Sequence, residues 1–219
     1  MKPVAIVLSG CGRADGSEIS EAVFSVLSCS QQNIPVCFYA PDMMQADTRD
    51  HLSGKSVPTP RNVLIEGARI ARGQIRSLNH LDIDHHSAIL FPGGLGAVKN
   101  WCSYHMDGIN CRVQKDILRV IRQALAVKLP LGFICISPVL AARAAQDNGI
   151  SLELTIGENA NVAEDIKAMG SKHVNCDVRH AHLDTEHRVV STPAYMLARS
   201  PEESYTGIFE LVKIIRSLQ

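Results

Sequence analysis

The sequence has neither an excess of charge of one sign nor a long hydrophobic run. Its 219 residues hold 22 Lys and Arg against 22 Asp and Glu, so the basic surface that binds nucleic acid or anionic lipid is not expected. No apolar run approaches the roughly 20 residues of a transmembrane helix, and the opening apolar run at 3–8 is too short for the core of a signal peptide. These absences predict a cytoplasmic protein, or one of the mitochondrial matrix, with no nucleic-acid and no membrane partner.

The sequence also lacks the spacings that hold metals and dinucleotides. Its seven cysteines are an odd number and include no CxxC pair, so most are expected to be free thiols in a reducing compartment. The polar segment 173–187 matches no standard zinc spacing, and a hairpin turn at 184–187 accounts for its polarity. Gly10, Gly12 and Gly16 resemble a dinucleotide motif, but Asp15 stands where the third glycine belongs. We therefore expect no metal ion and no cofactor.

Short apolar segments alternate with helical patterns along the chain. The apolar run at 4–8 predicts a strand buried on both faces. Further strands are predicted at 36–40, at 88–91, where the run is again that of a buried strand, and at 131–134. Helical spacing predicts a first helix through Ala22, Val23, Val26 and Leu27, with Ser17 or Ser20 as its N-cap. It predicts further helices near 63–70, 117–127, 137–145, 162–169 and 205–218, and residues 152–156 are a candidate strand. This alternation predicts one α/β domain over 1–219, with a mainly parallel sheet covered on both faces and with 41–80 as an insertion.

Cys135 is the strongest candidate for chemistry. It follows the apolar strand at 131–134 and precedes a helix that opens at Ser137-Pro138, so the positive end of that helix is expected to lower the pKa of its thiol. A decrease of about two or three units from the free value near 8.5 would make thiolate the major form at neutral pH. A buried core thiol is the alternative. Gly93 and Gly94 end a neighbouring strand and form either a tight turn or a site for an oxyanion.

A reactive thiol needs a group that moves protons, and two glutamates lie at the start of the first helix. Glu18 and Glu21 either only interact favourably with the dipole of that helix or are partners of Cys135. An ionised carboxylate beside Cys135 would raise the pKa of the thiol. A carboxyl that burial keeps protonated would instead donate a hydrogen bond to the thiolate, so a thiolate beside a neutral acid is the expected pair.

Segments spread over the whole chain resemble one family. The following stretches are similar, in order, to the ElbB (enhancing lycopene biosynthesis) family, a glyoxalase-like branch of the PfpI, class I glutamine amidotransferase-like superfamily: Ser9-Gly-Cys-Gly12, Asp15-Gly-Ser-Glu-Ile-Ser-Glu21, Arg61-Asn-Val-Leu-Ile-Glu66, Ala68-Arg-Ile70, Pro92-Gly-Gly94, Lys99-Asn100, Gly132-Phe-Ile-Cys135, Leu154-Thr-Ile-Gly157 and Thr192-Pro-Ala-Tyr-Met-Leu197. The resemblance implies a flavodoxin-like three-layer α/β sandwich with a nucleophile elbow.

The resemblance also implies roles for particular residues. Cys135 matches the elbow cysteine, Glu21 matches the glutamate that approaches it, and Gly93 and Gly94 match the glycines of the oxyanion loop. Peptidase members place histidine directly after the cysteine, where this chain has Ile136. A Cys–His–acid triad of the peptidase or glutaminase type is therefore not expected. Other branches place a histidine beyond the next strand, and Glu158 is a candidate for that space.

The resemblance implies an activity as well, the weak conversion of glyoxal to glycolate without metal or glutathione, in a homodimer. In this hypothesis Cys135 adds to the aldehyde, backbone N–H groups near Gly94 and Ile136 hold the oxygen, and Glu21 shuttles the proton. The alternatives are a thiol-based redox sensor and a metabolite-binding accessory protein of isoprenoid metabolism.

The helix predicted at 63–70 carries a further candidate surface. Asn62, Glu66 and Arg69 are spaced so that they share one helix face. This face, with Arg61 beside it, is either simply solvated or recognises a polar or anionic substrate.

Overall fold

A computed structural model describes residues 2–219 of the chain. The strands are β1 Val4–Val7, β2 Val36–Ala40, β3 Thr48–Arg49, β4 Ser56–Val57, β5 Ile75–Ser77, β6 Ala88–Phe91, β7 Leu131–Ile134, β8 Glu153–Leu154, β9 Lys172–His173, β10 His182–Asp184 and β11 Val189–Thr192. The helices are α1 Ile19–Gln31, α2 Val63–Ile70, α3 Leu95–Lys99, α4 Tyr104–Asp107, α5 Lys115–Ala126, α6 Pro138–Gln146, α7 Ala160–Ala168 and α8 Pro201–Ser217. Single turns of 3-10 helix lie at Leu78–His80, Ile83–His85, Gly108–Asn110 and Ala194–Met196.

Seven strands form the central sheet, in the order β10-β11-β7-β6-β1-β2-β5. All neighbouring pairs are parallel except β10 and β11, which form an antiparallel hairpin. Every residue of β1, β6 and β7 is buried, as expected for parallel strands covered on both faces. The predicted fold class is confirmed.

Helices cover the sheet in two groups. Helix α1 packs against α8 and α2, while α5 packs against α6. The core between sheet and helices includes the stacked rings of Phe91 and Phe133, whose centroids are 4.9 Å apart, and Trp101 set edge-on against Phe91. Because β6 and β7 are neighbours, this packing fixes the relative position of the loops that follow the two strands. None of the helices within residues 2–219 has the length and apolar character needed to cross a membrane.

Several sequence predictions need correction at the level of single elements. Ser17 and Ser20 were the expected caps of α1, but Glu18 is the N-cap, and its carboxylate accepts a hydrogen bond from Glu21 N at 2.7 Å. The Ser17 hydroxyl instead accepts from Ser9 N at 2.8 Å and so closes the loop after β1. The strand expected at 152–156 is only the two-residue β8, which pairs with β9 outside the central sheet.

The segment 41–80, which the sequence suggested to be an insertion, contains a hairpin, a helix and one strand of the central sheet. It begins with the β3–β4 hairpin, which pairs with no other strand. It ends with α2 and β5, and β5 is the edge strand of the central sheet beside β2. The sequence missed β5 because three partly exposed residues, Ile75, Arg76 and Ser77, show no strand periodicity.

Candidate active site at the strand–helix elbow

Cys135 lies in a sharp turn between β7 and α6. Its backbone has a φ of 65°, a conformation that side chains other than glycine rarely adopt and that is common at functional sites. Its N–H donates to Thr192 O at 2.9 Å. The Ser137 hydroxyl holds the turn, because it accepts from Ile134 N and donates to Phe91 O, both at 2.8 Å. The neighbouring strands therefore impose the strained conformation on the cysteine.

Glu21 reaches the elbow from the first turn of α1. Its side chain is fully buried and forms a hydrogen bond with the Cys135 thiol. One carboxyl oxygen accepts from Gly93 N at 3.0 Å, and the other accepts from Tyr195 N at 3.3 Å. The loops after β6, β7 and β11 thus meet at a single carboxyl group, which brings together the sequence candidates Cys135, Glu21 and Gly93.

The two glycines after β6 allow this close approach. A Cβ atom on Gly93 would lie 2.5 Å from Cys135 Cβ and 2.5 Å from Glu21 Oε2. Gly94 has a φ of 97°, and a Cβ there would lie 2.4 Å from Glu18 N. The backbone N–H groups of Gly94 and Ile136 both donate towards the Cys135 sulfur. Two donors aimed at one point can stabilise negative charge that develops on or next to the sulfur.

The electrostatics of the pair confirm one sequence expectation and correct another. Burial, together with the charge of Glu18, raises the pKa of Glu21 to about 8, so this carboxyl is protonated at neutral pH as predicted. The pKa of Cys135 was expected to fall, but it lies well above its ordinary value because burial and the Glu21 carboxyl outweigh the two backbone donors. The Glu21 charge acts on the thiol only while the carboxyl is ionised. The buried pair therefore holds at most one negative charge, which the sulfur and the carboxyl share through their hydrogen bond.

Access to the pair is narrow. Cys135 is 8% exposed and Glu21 is not exposed at all. Glu21, Gly94 and Ile136 are the polar groups that act most strongly on the thiol, and no histidine is among them.

The other predicted site residues do not join the elbow. Asn62 is the N-cap of α2, where its carbonyl accepts from Leu64 N and Ile65 N at 2.8 and 3.1 Å. Glu66 is buried and forms ion pairs with Arg69 at 2.9 Å and Arg61 at 3.4 Å. These bonds of Asn62 and Glu66 therefore go to residues of the segment 61–69. Glu158 is exposed and contacts neither Cys135 nor Glu21 in the part of the chain that the structure describes.

Two residues that shape the site were missed as functional positions. Tyr195 supplies a backbone donor to Glu21, and nothing in its local sequence distinguishes that role. Asn100 is buried, donates to Ser9 O and Asp15 O at 2.9 Å each, and accepts from Ala46 N at 2.8 Å. It therefore fastens the loop after β1, which leads into the helix that carries Glu21. Its only sequence signal was its place in the Lys99-Asn100 motif.

The polar segment 173–187 forms turns and one strand of a hairpin. Within residues 2–219, no group of three or more His, Cys, Asp or Glu side chains is arranged to hold a metal ion. The segment instead leads into the β10–β11 hairpin, where His187 Nδ1 lies 3.0 Å from Asp184 Oδ2.

The parallel sheet and the cysteine at the strand–helix turn define a class I glutamine amidotransferase-like protein. No family model matches the chain, but individual proteins do. The chain is 40% identical over 225 residues to the mitochondrial ES1 protein homolog of Rattus norvegicus. The alignment covers 98% of this chain and 83% of that protein. The chain is also 40% identical over 225 residues to the mitochondrial glutamine amidotransferase-like class 1 domain-containing protein 3 of Homo sapiens, over 98% of this chain and 82% of the relative.

A solved structure extends these similarities to the whole fold. The isoprenoid biosynthesis protein with an amidotransferase-like domain from Ehrlichia chaffeensis superposes with a TM-score of 0.92 at 32% identity, over 99% of this chain and 100% of that one. The chain therefore belongs to the family of the ES1 proteins and their ElbB-like isoprenoid biosynthesis relatives.

Proposed function

We propose that this protein is a glyoxalase-like enzyme that converts glyoxal to glycolate with its own side chains and without a cofactor. The observation that carries the proposal is the pairing of a strained elbow cysteine with a buried, protonated carboxyl beneath two backbone donors. Adding a thiol to an aldehyde and moving one proton between adjacent carbons needs a nucleophile, an acid–base group and an oxyanion site. Cys135, Glu21 and the N–H groups of Gly94 and Ile136 supply these functions.

The proton that Cys135 and Glu21 share takes part in the steps of the proposed reaction. The reactive form has a Cys135 thiolate and a protonated Glu21. The sulfur bonds to one aldehyde carbon, and Glu21 gives its proton to the new alkoxide, which yields a hemithioacetal and a carboxylate. Glu21 then takes the C–H proton from that carbon and delivers it to the second carbon through an enediol, while the hydroxyl proton passes from the first oxygen to the second, which leaves a thioester. Water cleaves the resulting thioester, so glyoxal and one water give glycolate and the free thiol.

The narrow access to Cys135 sets the substrate class. A sulfur that is 8% exposed suits a small aldehyde better than a peptide or a glutathione conjugate. The absence of histidine from the groups that act on the thiol argues against the amide hydrolysis that the superfamily name suggests, because amide cleavage needs a general acid for the leaving amine. Turnover in a homodimer of the cytoplasm or the mitochondrial matrix belongs to the same proposal.

A role in isoprenoid metabolism is a second candidate function. It is favoured by similarity to the Ehrlichia chaffeensis protein, which is described as an isoprenoid biosynthesis protein. In that case the elbow binds a metabolite and does not turn it over. A redox-sensor role for Cys135 is less favoured, because the raised pKa of its thiol slows reaction with peroxide.

Glyoxal turnover by purified protein without added metal or thiol tests the proposal. We expect Cys135→Ser to lower kcat/KM at least 100-fold, since it removes the covalent path. Cys11→Ser is the matched control, because Cys11 is a partly exposed thiol in the loop after β1, and it should keep wild-type turnover. Full activity in Cys135→Ser would exclude this mechanism. Saturable binding of a metabolite without any turnover by the wild type would favour the accessory role.

A further inference from the structure

Two cysteines outside the elbow lie next to each other. Cys102 follows α3 and forms an antiparallel bridge with Val113, so Cys111 lies diagonally opposite it across this short ladder. Ser103 N donates to Arg112 O at 3.1 Å, and Arg112 N donates to the Ser103 hydroxyl at 3.0 Å, which keeps the two segments in register. The Cys102 thiol donates to Ala97 O at 3.5 Å, and its interaction with the Cys111 thiol raises the pKa of Cys102 and lowers that of Cys111.

The surroundings of this pair differ from those of an ordinary core thiol. The pKa of Cys111 is lowered, first by the hydrogen bond from the Cys102 thiol and then by the charge of Arg143. Arg143 is held in place because its Nε donates to Cys111 O at 2.8 Å and its Nη1 pairs with Asp147 at 2.6 Å. By contrast, burial raises the pKa of the Cys29 thiol to about 12.

The segment that joins the two cysteines, residues 103–110, is exposed or partly exposed along its length. Both cysteines are buried, but none of the residues 103–110 that join them is buried. Within that segment Met106 is 83% exposed and Ile109 is 37% exposed. Because segment 103–110 joins the two cysteines and is not buried, movement of this segment is the route by which a peroxide would reach the sulfurs. Diagonal positions of an antiparallel pair lie about 7–8 Å apart, so the two short segments must draw together as the S–S bond forms.

We propose that Cys102 and Cys111 are a peroxide-oxidised dithiol that forms an intramolecular disulfide. The Cys111 thiolate attacks one oxygen of the hydroperoxide, the O–O bond breaks, and Cys111 sulfenic acid and water result. The Cys102 sulfur then attacks the Cys111 sulfur, the S–O bond breaks, and a second water leaves. Two thiols together lose two protons and two electrons, and the peroxide is reduced to two waters. This site is separate from the elbow and does not depend on the proposed glyoxalase activity.

Peptide mapping of the whole protein after treatment with hydrogen peroxide tests the dithiol. Remaining thiols are alkylated after unfolding, and the protein is digested without reductant. We expect a peptide pair joined through Cys102 and Cys111, two hydrogens lighter than its reduced form, which dithiothreitol returns to two free thiols.

Single variants identify the partners. Cys102→Ser and Cys111→Ser should each abolish the cross-linked peptide, while the matched core variant Cys29→Ser should retain it. The proposal is overturned if the wild type keeps both thiols open to alkylation after unfolding, if Cys111 is recovered as sulfinic acid without a cross-link, or if either cysteine joins a different partner. Because mass is the readout on the wild type itself, poor folding of a variant does not decide the result.

Discussion

Cys135 and Glu21 are two acids buried side by side, and their shared proton determines how the site responds to pH. The neutral pair has neither a thiolate nor a carboxylate. Burial raises the pKa of Glu21 to about 8 and the pKa of Cys135 well above its ordinary value. The pair therefore becomes singly ionised only as the pH approaches the upper end of the physiological range, and only that form contains the nucleophile.

The pH profile of turnover follows from this protonation. We expect kcat/KM for glyoxal to rise about tenfold per pH unit on the acid side and to level off near the pKa of Glu21, about 8. Initial rates between pH 5 and pH 9.5, together with the rate of Cys135 alkylation over the same range, measure it. A profile that is flat from pH 5 upwards would mean that the thiolate forms without the shared proton.

Glu18 tunes the same pair without touching the sulfur. Its charge raises the pKa of Glu21, so Glu18→Gln should move the inflection of the profile to lower pH, while the amide oxygen can still cap α1. Glu164→Gln, on the exposed surface of α7, is the matched control and should leave the profile in place. An unchanged inflection in Glu18→Gln would show that burial alone sets the acidity of Glu21.

The sequence could identify Cys135 but could not determine its acidity. An apolar strand followed directly by Cys135 and then by Ser137-Pro138 already indicates an elbow, because those features are local. Glu18 and Glu21 both lie at the start of α1, and nothing in their spacing tells which one is buried. The docking of α1 against the loops after β6 and β11 decides it. That docking also removes water from the thiol, an effect larger than the helix dipole that the sequence suggested.

At the scale of elements, Asn62 has a structural role that its motif did not reveal. Its carbonyl accepts from two N–H groups of the first turn of α2. We expect Asn62→Ala to lower the free energy of unfolding by about 1 kcal/mol and to leave glyoxal KM unchanged. Chemical denaturation and steady-state kinetics measure the two effects. Asn62→Ser, which keeps a capping oxygen, should recover most of the stability. A large rise in KM in either variant would contradict this role and would indicate that Asn62 binds substrate.

Long buried elements were predictable, and short exposed ones were not. Strands β1, β6 and β7 are continuous apolar runs, so their periodicity and burial agree. In contrast β3, β4 and β5 have two or three residues each and few buried side chains. Their pairing comes from hydrogen bonds to neighbours distant in sequence, which a local pattern does not contain.

At the scale of the whole molecule, the buried carboxyl of Glu21 costs stability as the pH rises. The unfolded chain releases this proton near 4.5, whereas the folded chain holds it until about 8. The native state therefore binds more protons in this window, and the free energy of unfolding decreases from pH 4.5 to pH 8. For this one group the decrease is on the order of 4 kcal/mol.

Glu21→Gln should remove most of that slope, because an amide does not titrate. Thermal or urea unfolding at several pH values between 4.5 and 8 measures the slope for the wild type and the variant. Glu164→Gln is again the control and should retain the wild-type slope. The absolute stability of Glu21→Gln is not the readout, since the amide also loses one of the two acceptors that serve Gly93 N and Tyr195 N.

The amino-acid sequence by itself determined the fold class, the order of the main strands and helices, and the elbow cysteine. These features follow from hydrophobic periodicity and from residue types within a few positions of one another. Only the tertiary structure decided that the pKa of Cys135 rises, that Asn62 and Glu66 lie in structural networks, and that Cys102 lies beside Cys111. The physical reason is that burial, charge proximity and hydrogen-bond geometry depend on which distant segments pack together, and a linear pattern does not contain those distances.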